Sequence, residues 1–161
     1  MELLFSFPTR RFHVREISRV LKLSPPTISK AINQLEKEPL VSVKKGFIFE
    51  IKAHISEKFI RLKRAHNLQT LDSSGLLEYL KETFPLSCIV LFGSYSKGED
   101  TERSDIDIAI EANDKKLDLE QFEKRLNKRI NIEFIDFSKI NKELRDSIIN
   151  GIVLNSYIKL R

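Results

Sequence analysis

One stretch of the sequence, Leu91 to Ile110, places polar groups of two kinds between two apolar segments. The residues that lead into it, Cys88 to Phe92, are continuously apolar, which is typical of a strand buried on both faces. The chain must turn at Gly93-Ser94, because glycine breaks the strand and lets the backbone pass close to a ligand. A serine that starts a short helix, here about 94–97, offers its hydroxyl and backbone N–H groups to an anion such as phosphate. The sequence therefore predicts an anion site at the end of a buried strand.

The second half of the stretch begins a new strand with Asp105-Ile106-Asp107-Ile108. Side chains alternate between the two faces of a strand, so both carboxylates are expected on one face and both isoleucines in the core. Two carboxylates this close repel each other unless a cation lies between them, and hard oxygen ligands select Mg²⁺ or Mn²⁺. An anion site beside a metal-binding acid pair is what transfer from a nucleoside triphosphate requires.

The spacing of these motifs resembles that of a known family. Gly93-Ser94, ten intervening residues and Asp105-x-Asp107 resemble the signature of the DNA polymerase β-like nucleotidyltransferase superfamily, specifically its minimal nucleotidyltransferase branch. The resemblance implies an α+β fold with a mixed sheet and helices. It also implies transfer of a nucleoside monophosphate, most simply AMP from ATP, onto a hydroxyl acceptor, with Mg²⁺ or Mn²⁺ held by Asp105 and Asp107.

The family pattern implies further site residues. A third carboxylate is expected on a later strand, and the matching position is Glu133, where the family usually has aspartate. Gly93, Ser94 and Lys97 are expected to hold the triphosphate, with lysine at a position where the family often has arginine. Asp136 is interpreted as an acid at the strand end or in a turn, and Ser138 as the cap of the last helix.

The N-terminal third of the chain differs in charge from the rest. The formal net charge is +5, and residues 1–52 carry ten Lys and Arg against five Asp and Glu, whereas residues 84–161 carry thirteen against fourteen. A basic module beside a nearly neutral one favours a polyanionic partner, most simply duplex DNA.

The order of elements in the basic module supports the same interpretation. Helical periodicity over Val14–Leu21, a short turn, and a second helix from Ser24-Pro25-Pro26 to about Glu38 predict a helix-turn-helix. The β-prone runs 40–43 and 47–51, joined by Lys44-Lys45-Gly46, predict a wing. Residues 1–52 thus resemble a winged helix-turn-helix domain, with 53–71 as a connecting helix and 72–161 as the nucleotidyltransferase domain. The predicted DNA contacts are Thr27, Ser29, Lys30, Asn33, Lys44 and Lys45. The alternative is a module that serves protein contacts or dimerisation.

Two functions are compatible with this organisation. The first is an enzyme that nucleotidylates a partner protein, as the family resemblance implies for antitoxins that adenylylate a paired HEPN-type toxin; the DNA-binding module would then regulate or target it. The second is a winged-helix transcription regulator that senses nucleotide without turnover. The protein is expected to be cytoplasmic, since the sequence has no apolar run of membrane-spanning length. The winged-helix interpretation is compatible with a homodimer, because such regulators commonly pair to read two half-sites.

Overall fold

The structure, a computed structural model, describes residues 1–44, 46 and 49–158. The chain divides into two compact units, residues 1–63 and 64–161. The division falls inside a helix, Glu57–Ser73, whereas the sequence places a connecting helix at 53–71 between separate domains. The predicted DNA contact Lys45 lies outside the described residues, as do Phe47 and Ile48 of the predicted wing.

The first unit consists of short helices followed by a hairpin. Its elements are α1 Glu2–Ser6, α2 Val14–Leu21, α3 Pro25–Lys37, β1 Val41–Lys44 and β2 Glu50–Ala53, followed by the first part of α4 Glu57–Ser73. Ser24 caps α3 by accepting a hydrogen bond from the Thr27 N–H, and two prolines fill the first turn, where no N–H partner is needed. The helices of the predicted helix-turn-helix therefore begin and end close to where the sequence places them.

The hairpin of the first unit is antiparallel, and Lys44 of β1 is paired with Glu50 of β2. Phe12 adds a one-residue bridge to Ile51 from the other side. Ile51 is fully buried with Phe12 and Phe59 in the core of this unit. The second strand continues past the end of the predicted run 47–51 as far as Ala53, because Ile51 and Ala53 are the residues that face this core.

The described residues of the second unit form a four-stranded mixed sheet with helices against it, which confirms the predicted α+β class. Its elements are the rest of α4, α5 Leu76–Thr83, β3 Ile89–Phe92, α6 Gly93–Lys97, β4 Ile106–Ile110, α7 Glu120–Leu126, β5 Ile130–Phe134, α8 Lys142–Ile149 and β6 Ile152–Asn155. The strand order is β5-β4-β3-β6, with β4 parallel to β5 and β3 antiparallel to both of its neighbours.

Both faces of this sheet are covered. Ile106, Ile108 and Ile110 of β4 are completely buried in one core, while Ala109 of the same strand is buried in a second core on the opposite face. The alternation follows from the period of two along a strand. This alternation places the Asp107 side chain on the same face of the sheet as Ala109, near the N-terminal end of β4.

The last helix begins later than Ser138. Asn141 caps α8, its side-chain oxygen accepting from the Leu144 N–H at 2.8 Å. Ser138 instead donates to the Asp136 carboxylate at 2.6 Å, so the predicted cap residue belongs to the turn before the helix. These hydrogen bonds from Ser138, together with that from Lys139, lower the pKa of the Asp136 carboxyl well below its usual range. Within the described residues, no helix is long and apolar enough to span a membrane.

Candidate active site

The glycine turn and the second aspartate of the acid pair lie in direct contact. β3 and β4 are antiparallel with Phe92 paired to Asp107, so Gly93 follows β3 directly beside Asp107. A Cβ atom placed on Gly93 would lie 2.4 Å from Oδ2 of Asp107, closer than any real contact. Gly93 also has a φ of +72°, a conformation that residues with a Cβ rarely adopt. Both observations require glycine at this position.

The predicted acid pair lies at the start of β4, which begins at Ile106, one residue later than predicted. Asp105 is exposed and immediately precedes β4, and Asp107 is half-buried within it. The isoleucine between them is completely buried, so the backbone that carries the two carboxylates is held by the core. The backbone of Asp107 therefore has little freedom to move relative to the glycine turn.

The neighbouring strand brings an amide between two carboxylates. β5 pairs with β4 so that Asn131 is opposite Asp107 and Glu133 is opposite Ala109. The side-chain N–H₂ of Asn131 donates to Oδ1 of Asp107 and to Oε1 of Glu133, both at 3.3 Å. All three side chains thus share one face of the sheet, and Asn131 links the predicted third carboxylate to the acid pair.

Sequence reasoning did not identify Asn131 as part of the site. The signal was present, because Asn131 is two residues before Glu133 and a period of two puts both on one face of a strand. In the described residues 1–44, 46 and 49–158, no group of three or more His, Cys, Asp or Glu side chains is arranged to hold a metal ion. The donor set of Asp105, Asp107 and Glu133 still suits Mg²⁺ or Mn²⁺ chemically, since all three present hard carboxylate oxygens.

The predicted phosphate-binding residues follow Gly93 on one short helix. Ser94 is half-buried on α6, and Lys97 is exposed at the end of this helix. The helix stops at Gly98, which is in the left-handed conformation, and the Ser96 hydroxyl donates to the Gly93 carbonyl at 2.8 Å. The hydrogen bond from Ser96 stabilises the turn around Gly93, whereas the Lys97 side chain is exposed to solvent.

A buried polar network underlies the loop between α6 and β4, and sequence reasoning missed it entirely. The Lys128 ammonium lies 3.3 Å from Oδ2 of Asp100, and Asn67 donates to Oδ1 of Asp100 at 2.7 Å. Tyr95 on α6 donates its hydroxyl to the Asn67 carbonyl at 3.2 Å. Burial, and then the nearby Asp100 charge, raise the pKa of the Tyr95 hydroxyl far above its usual value. No sequence spacing indicates this network, because its members come from α4, α6, a loop and the turn before β5.

The predicted DNA contacts in the first unit are accessible. Thr27, Ser29, Lys30 and Asn33 are exposed on α3, and Lys44 is exposed at the end of β1. The Thr27 hydroxyl is 2.7 Å from the Ser24 hydroxyl, so it also takes part in the cap of the helix. Ser29 and Asn33 line a groove of about 180 Å³ between α3 and the hairpin.

Comparisons with known proteins match the second unit. The model of the family described as "Polymerase beta, Nucleotidyltransferase" covers residues 75–158, just over half of the chain. Over 32 residues the chain is 56% identical to "Putative protein adenylyltransferase MJ1379" of Methanocaldococcus jannaschii, which is 20% of this chain and 32% of that protein. Over 80 residues it is 36% identical to "Putative protein adenylyltransferase MJ0128" of the same organism, which is 50% of this chain and 72% of that protein.

The chain thus spans about a third of the length of the first of these relatives and nearly three quarters of the second. The family match begins at α5 and includes β3, α6, β4, β5 and β6, the strands and the turn that build the site. With its glycine turn against the acid pair and a family match over more than half of its length, this chain belongs to the polymerase β nucleotidyltransferase family.

Proposed function

We propose that this protein transfers a nucleoside monophosphate, AMP from ATP, to a hydroxyl group of a partner protein. The observation that carries the proposal is the contact between the Gly93 turn and Asp107. This contact supports the proposal because it joins the turn that the sequence motif predicts for phosphate binding to Asp107 of the predicted acid pair. The name "Putative protein adenylyltransferase" that both relatives carry favours AMP and a protein acceptor.

In this proposal the residues of the site divide between the triphosphate, the metal ion and the acceptor proton, with Glu133 serving both of the last two. Gly93 and Ser94 hold the triphosphate, and Lys97 contacts it as a point charge from solvent. Asp105, Asp107 and Glu133 would hold Mg²⁺ or Mn²⁺, which would neutralise phosphate charge. The acceptor oxygen forms a bond to the α-phosphorus while the bond from that phosphorus to the bridging oxygen breaks and pyrophosphate leaves. Glu133 takes the proton of the acceptor hydroxyl, so that charge and atoms balance.

The direct test uses ATP labelled on the α-phosphate and ATP labelled on the γ-phosphate. The chain is incubated with each nucleotide, with Mg²⁺ or Mn²⁺, and with candidate acceptors that include the product of the neighbouring gene. We expect α-label on protein and γ-label in released pyrophosphate. Saturable ATP binding that changes DNA affinity, with no label transferred to any acceptor, would instead support the nucleotide-sensing regulator. A small helical HEPN-type partner that takes up label would identify an antitoxin.

Replacing Asn131 with aspartate should strengthen divalent metal binding. In the wild type the Asn131 amide donates to Asp107 and to Glu133. Asn131→Asp replaces this amide with a carboxylate opposite Asp107 in the pairing of β4 with β5. Even partners outside the coordination sphere change metal affinity by about 10–100-fold, so a direct ligand should tighten Mn²⁺ binding at least about tenfold. Without metal the added charge should lower the melting temperature through repulsion.

Calorimetric titration with Mn²⁺, combined with melting curves with and without the ion, measures both effects. Asn113→Asp is the matched control, because Asn113 is exposed in the loop that follows the far end of β4. Equal Mn²⁺ affinity for wild type and Asn131→Asp would show that this position does not face the metal site.

We further propose that the first unit is a winged helix-turn-helix that binds duplex DNA. It combines a surplus of basic residues with exposed polar side chains on α3 and a hairpin whose first strand ends at Lys44. In this proposal α3 enters the major groove with Ser29, Lys30 and Asn33, and the hairpin contacts the backbone. Such binding would let the protein act at its own promoter, and a homodimer would read two half-sites.

Removing Lys44 and Lys45 should weaken DNA binding and flatten its salt dependence. Each phosphate contact contributes about 0.9 to the slope of log affinity against log salt concentration, so Lys44→Ala with Lys45→Ala should reduce the slope by about two. Fluorescence anisotropy with upstream DNA at several salt concentrations measures this slope. Arg61→Ala is the control, since it removes one charge from an exposed side chain on α4 of the same unit. Salt-independent or undetectable binding by the wild type would assign the module to protein contacts.

A further inference from the structure

The loop from Gly98 to Ser104 connects the two halves of the site. It follows α6, which carries the phosphate-binding residues, and it leads into Asp105 and β4. Any displacement of this loop therefore changes where Asp105 lies relative to Gly93. One cation contacts three oxygen atoms of this loop.

That cation is the ammonium of Lys128. It donates to the carbonyl oxygens of Thr101 at 2.6 Å and Ser104 at 3.1 Å, and it lies 3.3 Å from Oδ2 of Asp100. A lysine ammonium has three N–H donors, so these three oxygens are enough to use all of them. The Lys128 side chain is 11% exposed and that of Asp100 is 2% exposed, so the contacts form largely out of water.

The network reaches both neighbouring elements. Asn67 on α4 donates to Oδ1 of Asp100 and also to the Tyr95 carbonyl at 2.9 Å, which joins the loop to α6. Lys128 itself stands two residues before β5, the strand that carries Asn131 and Glu133. The backbone of β5 is also tied to β4 at this end, because the Ile106 N–H donates to the Arg129 carbonyl at 2.9 Å. Lys128, Asp100 and Asn67 together with the Ile106–Arg129 backbone hydrogen bond thus connect the elements that carry the phosphate turn, the acid pair and the predicted third carboxylate.

We propose that Lys128 is a positioning residue for nucleotidyl transfer, which sets the place of Asp105 by holding the carbonyl oxygens of Thr101 and Ser104. Ser104 directly precedes Asp105, so a shift of its carbonyl moves the carboxylate with it. Lys128 reaches the acid pair through the backbone and does not itself contact substrate. This inference rests on the proposed function and adds to it a residue that the GS-x10-DxD pattern does not contain.

Lys128→Met tests the role, because methionine keeps an unbranched side chain that is only one atom shorter and removes the donors. Displacements of about 1 Å at a reacting centre cost on the order of 100-fold in rate, so we expect transfer to fall by about 10–100-fold. The loss should be in kcat, with the KM for ATP nearly unchanged, because Gly93 and Ser94 are not altered. Lys124→Met is the matched control, since Lys124 is exposed on α7 and pairs with Glu120 on the same helix.

Loss of Lys128 removes its hydrogen bonds to the loop carbonyls and also leaves the Asp100 charge without this partner. A second variant separates these two effects. In Asp100→Asn with Lys128→Met the charge is removed with the lysine, and we expect a melting temperature closer to wild type while transfer stays slow. Transfer restored to the wild-type rate in this double variant would overturn the proposal, since only charge burial would then matter.

Chemical rescue adds a readout that packing alone does not move. Propylammonium replaces the atoms missing in Lys128→Ala, and we expect it to restore transfer at least tenfold in a concentration-dependent way. Tetramethylammonium, which is charged but has no N–H donor, should not. Equal rescue by both ions, or Lys128→Met turning over like wild type, would refute the positioning role. If wild type itself transfers no label, the proposed function fails, and that result is distinct from either outcome.

Discussion

Asp107→Asn is expected to abolish AMP transfer while leaving the fold intact. The substitution keeps the size of the side chain and its position between the Gly93 turn and Asn131, but it removes the negative charge. Removing one electrostatic partner of the reacting phosphate typically costs about 10²–10³-fold in kcat, and a group that also binds a divalent ion should cost at least as much. Single-turnover label transfer under saturating ATP measures the loss directly.

The matched control for this variant is Asp114→Asn, which removes the same charge from an exposed loop after the far end of β4. Its transfer rate should equal that of wild type. Because two carboxylates near each other repel, Asp107→Asn should melt at the same or a higher temperature than wild type in the absence of metal. Undiminished transfer by Asp107→Asn would remove this aspartate from the chemistry and leave the site without its central acid.

Gly93→Ala is expected to inactivate the enzyme by a different route. The new Cβ would lie 2.4 Å from Oδ2 and 3.3 Å from Cγ of Asp107, so the carboxylate must turn away. A displacement of a catalytic carboxylate by about 1 Å costs on the order of 100-fold in rate. The loss of stability should be modest, about 1–2 kcal/mol from the left-handed backbone, because the displaced atoms are the end of a movable side chain.

Gly75→Ala separates backbone strain from the contact with Asp107. Gly75 has a φ of +82°, but its Cβ would meet nothing closer than 3.6 Å, on the side chain of Arg125. Both variants should therefore lose similar free energy of unfolding in denaturant titrations, and only Gly93→Ala should lose transfer. Equal losses of activity would attribute the effect to strain and would contradict the contact argument.

Much of the second unit follows from local sequence signals. The continuous apolar run predicts β3, the alternation of Asp and Ile predicts β4, and Gly98 predicts the end of α6. The signal for β3 is local because the strand is buried on both faces and therefore has no polar position. The glycine requirement at Gly93 is also local in the sequence, although its cause, the Asp107 carboxylate, is on the next strand.

What the sequence could not supply depends on register and on long-range contacts. The family pattern predicts that Glu133 is on a strand after the acid pair. Only the pairing of β4 with β5 shows that Asn131 is opposite Asp107. Ser138 and Asn141 are both good caps, and the choice depends on the Asp136 turn that occupies Ser138. The extension of β2 to Ala53 has the same origin, because burial of Ile51 against Phe12 is a tertiary effect.

The two-sided burial of β4 has a consequence for engineering this protein. Because Ile106, Ile108 and Ile110 are sealed in one core and Ala109 in another, a substitution at any of these four positions disturbs packing before it alters chemistry. Arg103 and Arg129 are exposed, and their side chains lie outside both cores. Directed evolution of acceptor choice should accordingly begin at such exposed positions and leave the buried residues of the central strand untouched.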